Sequence, residues 1–133
     1  MRYMLDTDIC SYIVKRKPDK VHARFLPLHR DDVCISVITY AELLHGMKRL
    51  KPHSQQMFSL QDFLRGMAME PWAEPAAEQF ADTAHNLLAR GHPIGTMDMQ
   101  IAAHALALNC ILVTNNEKHF RRVPGLKLEN WTV

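Results

Sequence analysis

Tyr3-Met4-Leu5-Asp6-Thr7-Asp8, residues 3–8, is the stretch that decides the fold class. Three largely apolar residues in succession predict a short buried strand, and the acidic residues after them predict a turn into a helix. An Asp at this place can accept N–H bonds from the first helical turn, where the helix dipole also favours negative charge. Two Asp residues separated by Thr7 are more than a cap requires, so the stretch also indicates metal binding.

Further strands alternate with helical patterns along the chain. The other predicted strands are 33–36, 67–70, 110–114 and 127–129, of which 33–36 and 110–114 have the clearest apolar pattern. The predicted helices are 37–50, 54–66, 75–90 and 97–108. This alternation is typical of a parallel sheet with right-handed crossovers, in which the carboxyl ends of the strands form the ligand crevice. Asp6 and Thr114 both fall at such ends.

The size and composition of the chain limit its class. With 133 residues, 47% of them hydrophobic, it is expected to form one α/β domain over residues 1–133. No apolar run approaches the roughly 18 residues of a membrane span, and no secretory signal is recognised, so a cytoplasmic protein without a membrane partner is expected. Cys10, Cys34 and Cys110 lie in apolar or mixed surroundings and are expected to be reduced core residues.

Two more acidic residues stand where helices begin. Thr39-x-x-Glu42 matches a capping box, in which Glu42 would only bond the cap; if the helix instead starts at Ser36, Glu42 lies in the second turn and is free to point into the crevice. Asp98 follows Gly95 and Thr96, where Thr96 is expected to cap a helix with Asp98 in its first turn. Carboxylates gathered at one edge of a sheet suit Mg²⁺ or Mn²⁺ and the cleavage of phosphate esters.

Basic residues form three clusters although the net charge is only +2. The residues predicted to contact a polyanion are Lys15, Arg16 and Lys17 in the first cluster, Lys48 and Arg49 in the second, and Arg121 and Arg122 in the third. Basic clusters beside an acidic site suit a nucleic-acid substrate, whereas the alternative for each cluster is an ordinary solvated helix end.

Asp6, Glu42 and Asp98, in this order and spacing, resemble the acidic residues of PIN-domain nucleases. The local motifs are similar to those of VapC toxins. They are Met4-Leu5-Asp6-Thr7-Asp8-Ile9, Ile38-Thr39-Tyr40-Ala41-Glu42-Leu43, Pro93-Ile94-Gly95 with Asp98, Ile101-Ala102-Ala103-His104-Ala105 and Val113-Thr114-Asn115-Asn116. Each motif alone is weak, but the ordered set is strong and extends over essentially the whole chain.

The resemblance implies a three-layer α/β/α sandwich with a central, mostly parallel sheet. It also implies a Mg²⁺- or Mn²⁺-dependent endoribonuclease, the toxin of a type II toxin–antitoxin pair, which cuts structured RNA and so inhibits translation; tRNA is one candidate substrate. Asp6, Glu42 and Asp98 are the expected catalytic residues and metal ligands. The expected protein partners are a VapB antitoxin that folds across the active-site groove and further toxin copies in homodimers and larger complexes.

Four polar residues are expected to support these acids without binding the ion directly. Thr114 and Asn116 would orient water or a ligand, and Thr7 and Asp8 would shape the loop. Many PIN domains have a fourth Asp after the strand that corresponds to 110–114, but this chain has Asn116 there and His119 three residues later. The smaller negative charge leaves open whether one or two metal ions bind and which of these two residues replaces the Asp.

Other functions fit parts of the same pattern. Asp6-Thr7-Asp8 and Thr114 also resemble the first two motifs of haloacid-dehalogenase phosphatases, but the acidic motif of that class would follow Thr114, whereas Asp98 precedes it. A binding module without catalysis would use the acids only as helix caps. Cleavage of DNA instead of RNA is a third alternative, since related folds act on DNA flaps.

Overall fold

The computed structural model describes all residues, 1–133. Five strands and seven helices follow one another in the predicted alternation. In chain order they are β1 (Tyr3–Leu5), α1 (Thr7–Lys15), α2 (Asp19–Phe25), β2 (Val33–Ser36), α3 (Val37–Met47), α4 (Gln55–Gly66), β3 (Ala68–Glu70), α5 (Glu74–Ala89), α6 (Thr96–Ala107), β4 (Ile111–Val113), α7 (Glu117–Phe120) and β5 (Lys127–Glu129), with a 3-10 turn at Arg30–Asp32 before β2.

The strands form one sheet in the order β3-β2-β1-β4-β5, and all four pairings are parallel. Strand β1 lies at the centre, where Tyr3 pairs with Val33 on one side and with Ile111 on the other. Because every strand runs in the same direction, all carboxyl ends meet at one edge of the sheet. The predicted parallel α/β sheet is confirmed, including the two weaker strand predictions.

Helices cover both faces of the sheet. Side chains of successive strand residues point to opposite faces, so Met4 packs with α5 and α6, whereas Leu5 packs with α1 and α4. Each face carries a core cluster of 12 buried residues. The three-layer α/β/α sandwich implied by the resemblance is therefore confirmed. Cys10, Cys34 and Cys110 are buried free thiols, as expected.

The start of α3 decides between the two interpretations of Glu42. Ser36 is the cap residue, and its Oγ accepts the N–H of Ile38 at 3.0 Å. The capping box from Thr39 is not formed, because Thr39 already lies inside the helix and is fully buried. Glu42 thus lies in the second turn and is free to reach the carboxyl edge of the sheet.

Several boundaries differ from the sequence-based expectation. Helix α3 ends at Met47 and not at residue 50, because Lys48, Arg49 and Leu50 bond the carbonyls three residues back in a tighter turn. Helix α6 begins at Thr96 as part of the helix and not as its cap; Gly95 is the cap residue and makes no side-chain cap bond. Helix α2 was not predicted. No helix has both the length and the apolar character needed to cross a membrane.

Candidate active site

Asp6 sits where β1 turns into α1. Its backbone N–H donates to the carbonyl of Val113 at 3.0 Å, which continues the pairing with β4 by one residue. Its Oδ1 accepts the N–H of Ile9 at 3.0 Å, so the side chain caps α1. Only 7% of Asp6 is exposed. The cap interpretation is therefore confirmed, and the second carboxylate oxygen takes no part in this cap bond.

Glu42 reaches the same edge from α3. Its Oε1 accepts a short hydrogen bond from the hydroxyl of Thr7, the first residue of α1. This bond joins two helices that are distant in the sequence and fixes the direction of the Glu42 carboxylate. Asp98 approaches from the third side, in the first turn of α6. The three acids on which the sequence analysis depends are thus carried by the cap of α1, the second turn of α3 and the first turn of α6.

All three acids line one small polar cavity of about 170 Å³. Its lining residues are Asp6, Thr7, Asp8, Glu42, Asp98, Ile101, Asn116 and Phe120. A larger cleft of about 570 Å³ lies between α3, α4 and β3, but it is mostly apolar and contains none of these acids. The chemistry therefore points to the smaller cavity, where four carboxylates and one carboxamide meet.

Burial and mutual repulsion perturb the acids of this cavity. Desolvation raises the pKa of Asp6 to about 6, against the opposing hydrogen bonds from Thr114 and Ile9, and the charges of Asp8 and Asp98 add to the increase. Desolvation also raises the pKa of Asp98, with His119 acting in the opposite direction and Asp8 in the same one. None of the four carboxylates of the cavity forms a salt bridge. The cavity therefore carries negative charge that the chain does not neutralise.

The donor set of the cavity fits a hard divalent cation. No three His, Cys, Asp or Glu side chains are close enough to hold a metal ion as they stand. Mg²⁺ does not require such a cage, because it keeps several waters and takes only one or two carboxylates directly. Asp6 and Asp98 both line the cavity and are the carboxylates that would hold such an ion.

Thr114 and Asn116 form a hydrogen-bonded turn beneath the cavity. The hydroxyl of Thr114 accepts the N–H of Asn116 at 2.9 Å and also hydrogen-bonds the carboxylate of Asp6. The side-chain amide of Asn116 lies 2.9 Å from Nδ1 of His119 and donates to it. Asn116 lines the cavity and His119 does not. The side chain at the fourth acidic position is therefore a carboxamide that is oriented by a histidine.

The predicted basic residues separate into two groups. Lys15 and Arg49 line a groove of about 410 Å³ that shares Thr7 and Glu42 with the acidic cavity. Lys17 lines the next depression, of about 370 Å³, which also contains Lys15. Together they form a basic groove that runs from the acidic cavity along α1 and α4. Neither depression is lined by an aromatic side chain.

The remaining predicted basic residues lie outside this basic groove. Arg16 ends α1 with a left-handed φ of 58°, and Lys48 caps the end of α3; neither lines the two depressions. Arg121 forms a 3.4 Å ion pair with Glu117, and Arg122 donates to the carbonyl of Pro93 at 3.2 Å. These last two residues already have protein partners.

Sequence reasoning singled out Thr7 and Asn116 but not three other uncharged members of the site. Gln56, from α4, lines both depressions of the basic groove, and Ile101 and Phe120 form the apolar wall of the acidic cavity. A polar residue on an amphipathic helix gives no sign of facing a groove, because the sequence does not show how α4 packs. The apolar spacing of Ile101 with Ala102 and Ala105 indicated only a buried face.

Known proteins similar to this chain share its full length. The PIN domain matches residues 3–126. The chain is 33% identical over 132 residues to a protein from Shigella flexneri named tRNA(fMet)-specific endonuclease VapC, with 99% of each sequence covered. It is 37% identical over 132 residues to ribonuclease VapC2 of Rickettsia felis, with 98% of each covered.

Solved structures give the same picture. The chain superposes with a TM-score of 0.89 on a chain of the Rickettsia felis VapBC2 complex bound to a DNA fragment from its promoter. The two chains are 36% identical, and the superposition covers 98% of this chain and 99% of the other. The DNA-bound VapBC complex of Salmonella typhimurium gives a TM-score of 0.89 at 31% identity, with 98% of each chain covered. The similarity therefore includes the whole fold.

Proposed function

This chain belongs to the PIN-domain family and, within it, to the VapC ribonucleases; from this premise we propose that it is a Mg²⁺- or Mn²⁺-dependent endoribonuclease that acts as the toxin of a toxin–antitoxin pair. The observation that carries the proposal is the meeting of Asp6, Glu42 and Asp98 in one cavity at the carboxyl edge of the sheet. The cap of α1, the second turn of α3 and the first turn of α6 all direct a carboxylate into the same 170 Å³ space, which is more than capping α1 requires.

The residues of the cavity have different proposed roles in phosphodiester hydrolysis. Asp6 and Asp98 would hold the divalent ion. When bound, such an ion supplies a lowered pKa for an attacking water and positive charge for the phosphate. Glu42, which accepts a hydrogen bond from the Thr7 hydroxyl, would orient the attacking water. Asn116 presents an uncharged amide to the cavity, where it holds water without adding further repulsion to the phosphate.

The substrate and partners follow from the same proposal. The basic groove binds the RNA backbone through Lys15, Lys17 and Arg49, and the absence of aromatic lining favours phosphate contacts over base stacking. A relative at 33% identity is named for initiator tRNA, which makes a tRNA the first substrate to test. Cutting it would stop translation, so the proposed place of action is the cytoplasm.

A VapB-like antitoxin is the proposed protein partner, because structural neighbours at 36% and 31% identity were solved as VapBC complexes. Its proposed position is across the acidic cavity and the basic groove, where it would exclude RNA. Homodimers and larger toxin–antitoxin assemblies belong to the same proposal. Co-expression of the chain with the small protein encoded next to it, followed by size-exclusion chromatography with light scattering, measures the stoichiometry.

The direct test is cleavage of labelled RNA by the purified chain. We expect Mn²⁺-dependent cutting of RNA, loss of cutting in excess EDTA, and no cutting by Asp98→Asn. A deoxyribonucleotide copy of the same sequence separates a ribonuclease from a nuclease that acts on DNA. Activity that persists in EDTA, or in folded Asp98→Asn, would contradict the proposal. A covalent aspartyl-phosphate on Asp6 would instead favour the phosphatase alternative.

The natural target is found by sequencing RNA ends after brief expression. We expect new ends to accumulate at one position in one or a few structured RNAs, with initiator tRNA examined first. Expression of Asp98→Asn provides the background of ends that do not depend on the acidic cavity. Ends that are spread evenly over all transcripts in the wild-type sample would contradict a specific RNA substrate.

A further inference from the structure

His104 is a buried titratable side chain that takes no part in the proposed chemistry. It lies on α6, is 1% exposed and does not line the acidic cavity. Its Nδ1 lies 2.7 Å from Oγ of Ser36, the residue that caps α3. The backbone carbonyl of Pro71, which follows β3, lies near enough to the ring to favour its protonated form. One imidazole therefore connects α6, the first turn of α3 and the segment after β3.

The partners of His104 assign its tautomer. Oγ of Ser36 already accepts the N–H of Ile38, so the hydroxyl proton of Ser36 is available for Nδ1. Nδ1 then accepts, and Nε2 carries the proton of the neutral ring, on the side of Pro71. In this arrangement the Ser36 hydroxyl and Nδ1 both have a partner, and the ring is neutral.

The surroundings of His104 maintain this neutral state. Burial lowers the pKa of its imidazole, against the opposing effects of the Pro71 carbonyl and the charge of Glu70. Glu70, on the edge strand β3, is itself neutralised by a salt bridge with Arg2 from the start of β1. The residues on the α3 side, Ser36 and Ile38, carry no charge. A neutral ring that accepts from Ser36 is thus the stable form at neutral pH.

The hydrogen bond between His104 and Ser36 is separated from two of the active-site acids by the same number of residues. Glu42 lies six residues after Ser36 on α3, and Asp98 lies six residues before His104 on α6. Six residues of α-helix span about 9 Å. A change in the crossing of α3 and α6 at this contact would therefore move both carboxylates, and a misplacement of about 1 Å can reduce a rate roughly a hundredfold.

We propose that His104 is a positioning residue for the active site: its hydrogen bond to Ser36 holds α3 and α6 together so that Glu42 and Asp98 reach the same cavity. A second hydrogen bond supports this role. Trp72 Nε1 donates to the backbone carbonyl of Gln100 at 3.1 Å, one helical turn before His104 on α6. The segment Pro71–Trp72 thereby contacts α6 at two successive turns. The activity measurements below rest on the proposed function, whereas the structural ones do not.

The test compares the activity of two replacements of His104. If His104 only fills space, the Leu variant should be the more active; if it positions the two helices, the Asn variant should be. His104→Leu fills the buried space with apolar atoms but cannot accept from Ser36. His104→Asn leaves space unfilled but places an acceptor near the position of Nδ1. Removal of the other partner, Ser36→Ala, has a matched control in Ser54→Ala, because Ser54 caps α4 with the same type of bond to Met57 and its side chain hydrogen-bonds no histidine.

We expect His104→Leu to reduce kcat for RNA cleavage by about 10- to 100-fold with KM nearly unchanged. We expect His104→Asn to be the more active of the two even where it melts at a lower temperature. Ser36→Ala should reduce kcat and add little to the effect of His104→Leu in the double variant, whereas Ser54→Ala should keep wild-type kcat. Equal kcat in the wild type and in folded His104→Leu would overturn the proposal, as would an Asn variant less active than the Leu variant.

Two readouts do not require cleavage. Calorimetric titration with Mn²⁺ should show an affinity reduced by about tenfold or more in His104→Leu and unchanged in Ser54→Ala. Crystal structures should show that the distance between the Cα atoms of Glu42 and Asp98 changes by about 1 Å in the first variant and not in the second. If the wild type cleaves no RNA, the proposed function fails but the interatomic distance still tests His104; an unchanged distance would overturn the positioning role. Should the Leu variant not fold, His104→Asn and Ser36→Ala carry the same comparison.

Discussion

Carboxylates occur in two electrostatic settings in this molecule. Outside the acidic cavity, four carboxylates are paired with an arginine: Glu70 with Arg2, Glu129 with Arg24, Asp62 with Arg65, and Glu117 with Arg121. Inside the cavity, none of the four carboxylates has such a partner, although Asp6 is far more buried than any carboxylate in those pairs. These four carboxylates have a cationic partner within the chain, whereas those of the cavity have none, which fits the proposed divalent cation.

This difference has a direct physical consequence. A half-buried pair such as Arg2–Glu70 holds its charge at little cost because the partner is fixed nearby. Burial of Asp6 instead makes its charged state unfavourable, and the increase of its pKa to about 6 reflects that cost. The folded protein is therefore expected to be less stable at neutral pH than it would be with neutral side chains in the cavity, and the proposed divalent cation would recover the difference. Removal of a carboxylate charge from the cavity should therefore reduce RNA cleavage and increase the free energy of unfolding.

The largest expected effect is the loss of activity when a cavity carboxylate becomes an amide. Asp6→Asn and Asp98→Asn should each reduce RNA cleavage at least about a thousandfold, equivalent to about 4 kcal/mol of activation free energy, because an amide binds Mg²⁺ far more weakly. The measurement is initial cleavage rate at saturating Mn²⁺, with far-ultraviolet circular dichroism to verify folding. Asp82→Asn, on the exposed face of α5, makes the same chemical exchange outside the cavity and should keep wild-type activity. Cleavage at the wild-type rate by Asp6→Asn or Asp98→Asn would contradict the assignment of that residue as a metal ligand.

The second effect concerns stability, and its sign is opposite to that of the first. Because the folded-state pKa of Asp6 is raised from 3.8 to about 6, the folded protein holds its proton more tightly than the unfolded chain. The associated stability is fully present below about pH 4 and is lost as the pH rises through 6. At pH 7, Asp6→Asn should therefore increase the free energy of unfolding by about 2–3 kcal/mol without metal, since Asn caps a helix as well as Asp.

Urea unfolding at several pH values measures this effect. In the wild type, stability attributable to Asp6 should fall between pH 4 and 6, and the Asn variant should lack that dependence. Addition of Mn²⁺ at about 100 times its dissociation constant should stabilise the wild type by about 2.7 kcal/mol and leave the variant unchanged. A variant that is less stable than the wild type at pH 7 without metal would show that the acidic cavity is not strained by its charge.

The third effect concerns the basic groove. Replacement of Lys15 and Arg49 by Gln should raise KM for RNA about tenfold with little change in kcat, because these side chains contact the substrate and not the reacting phosphate. The dependence of log affinity on log salt concentration should fall by about 1.4, or 0.7 for each lost phosphate contact to a single strand. The matched pair, Arg121→Gln with Arg122→Gln, lies outside the basic groove and should change neither value strongly. Equal effects of the two pairs would mean that RNA also binds the surface around α7.

Local patterns were sufficient to predict the parallel α/β sheet and the edge at which the acids lie, whereas the three-layer arrangement was implied by the resemblance to PIN-domain nucleases. Apolar runs such as Ile111–Val113 can only be buried strands in a domain of this size, and parallel strands bring the residues after them to one edge. Which cap starts α3 could not be decided, because Ser36 and Thr39 both have suitable side chains. Packing decides it: Thr39 is fully buried among neighbouring elements, and only a start at Ser36 gives that placement.

The parts that could not be predicted depend on how distant elements meet. His104 occurs within an apolar helical motif, and nothing in the sequence pairs it with Ser36, 68 residues away. In the same way, Lys15 and Arg121 look equivalent in the sequence, but one faces the basic groove and the other an acid of its own helix. Local spacing determines which residues lie at a helix start or on one face, whereas tertiary packing determines what that face contacts.

The smallest expected effect completes the contrast between the two settings of carboxylates. The Asp62–Arg65 pair on α4 spans 3.1 Å, but its side chains are 71% and 74% exposed. Because solvent screens such a pair, Asp62→Asn should change the free energy of unfolding by less than about 0.5 kcal/mol and should leave RNA cleavage unchanged. The comparison is informative because Asp62→Asn and Asp6→Asn remove the same charge by the same chemical exchange. If urea unfolding gave similar shifts for both, burial and the absence of an arginine would not be what distinguishes the acidic cavity from the protein surface.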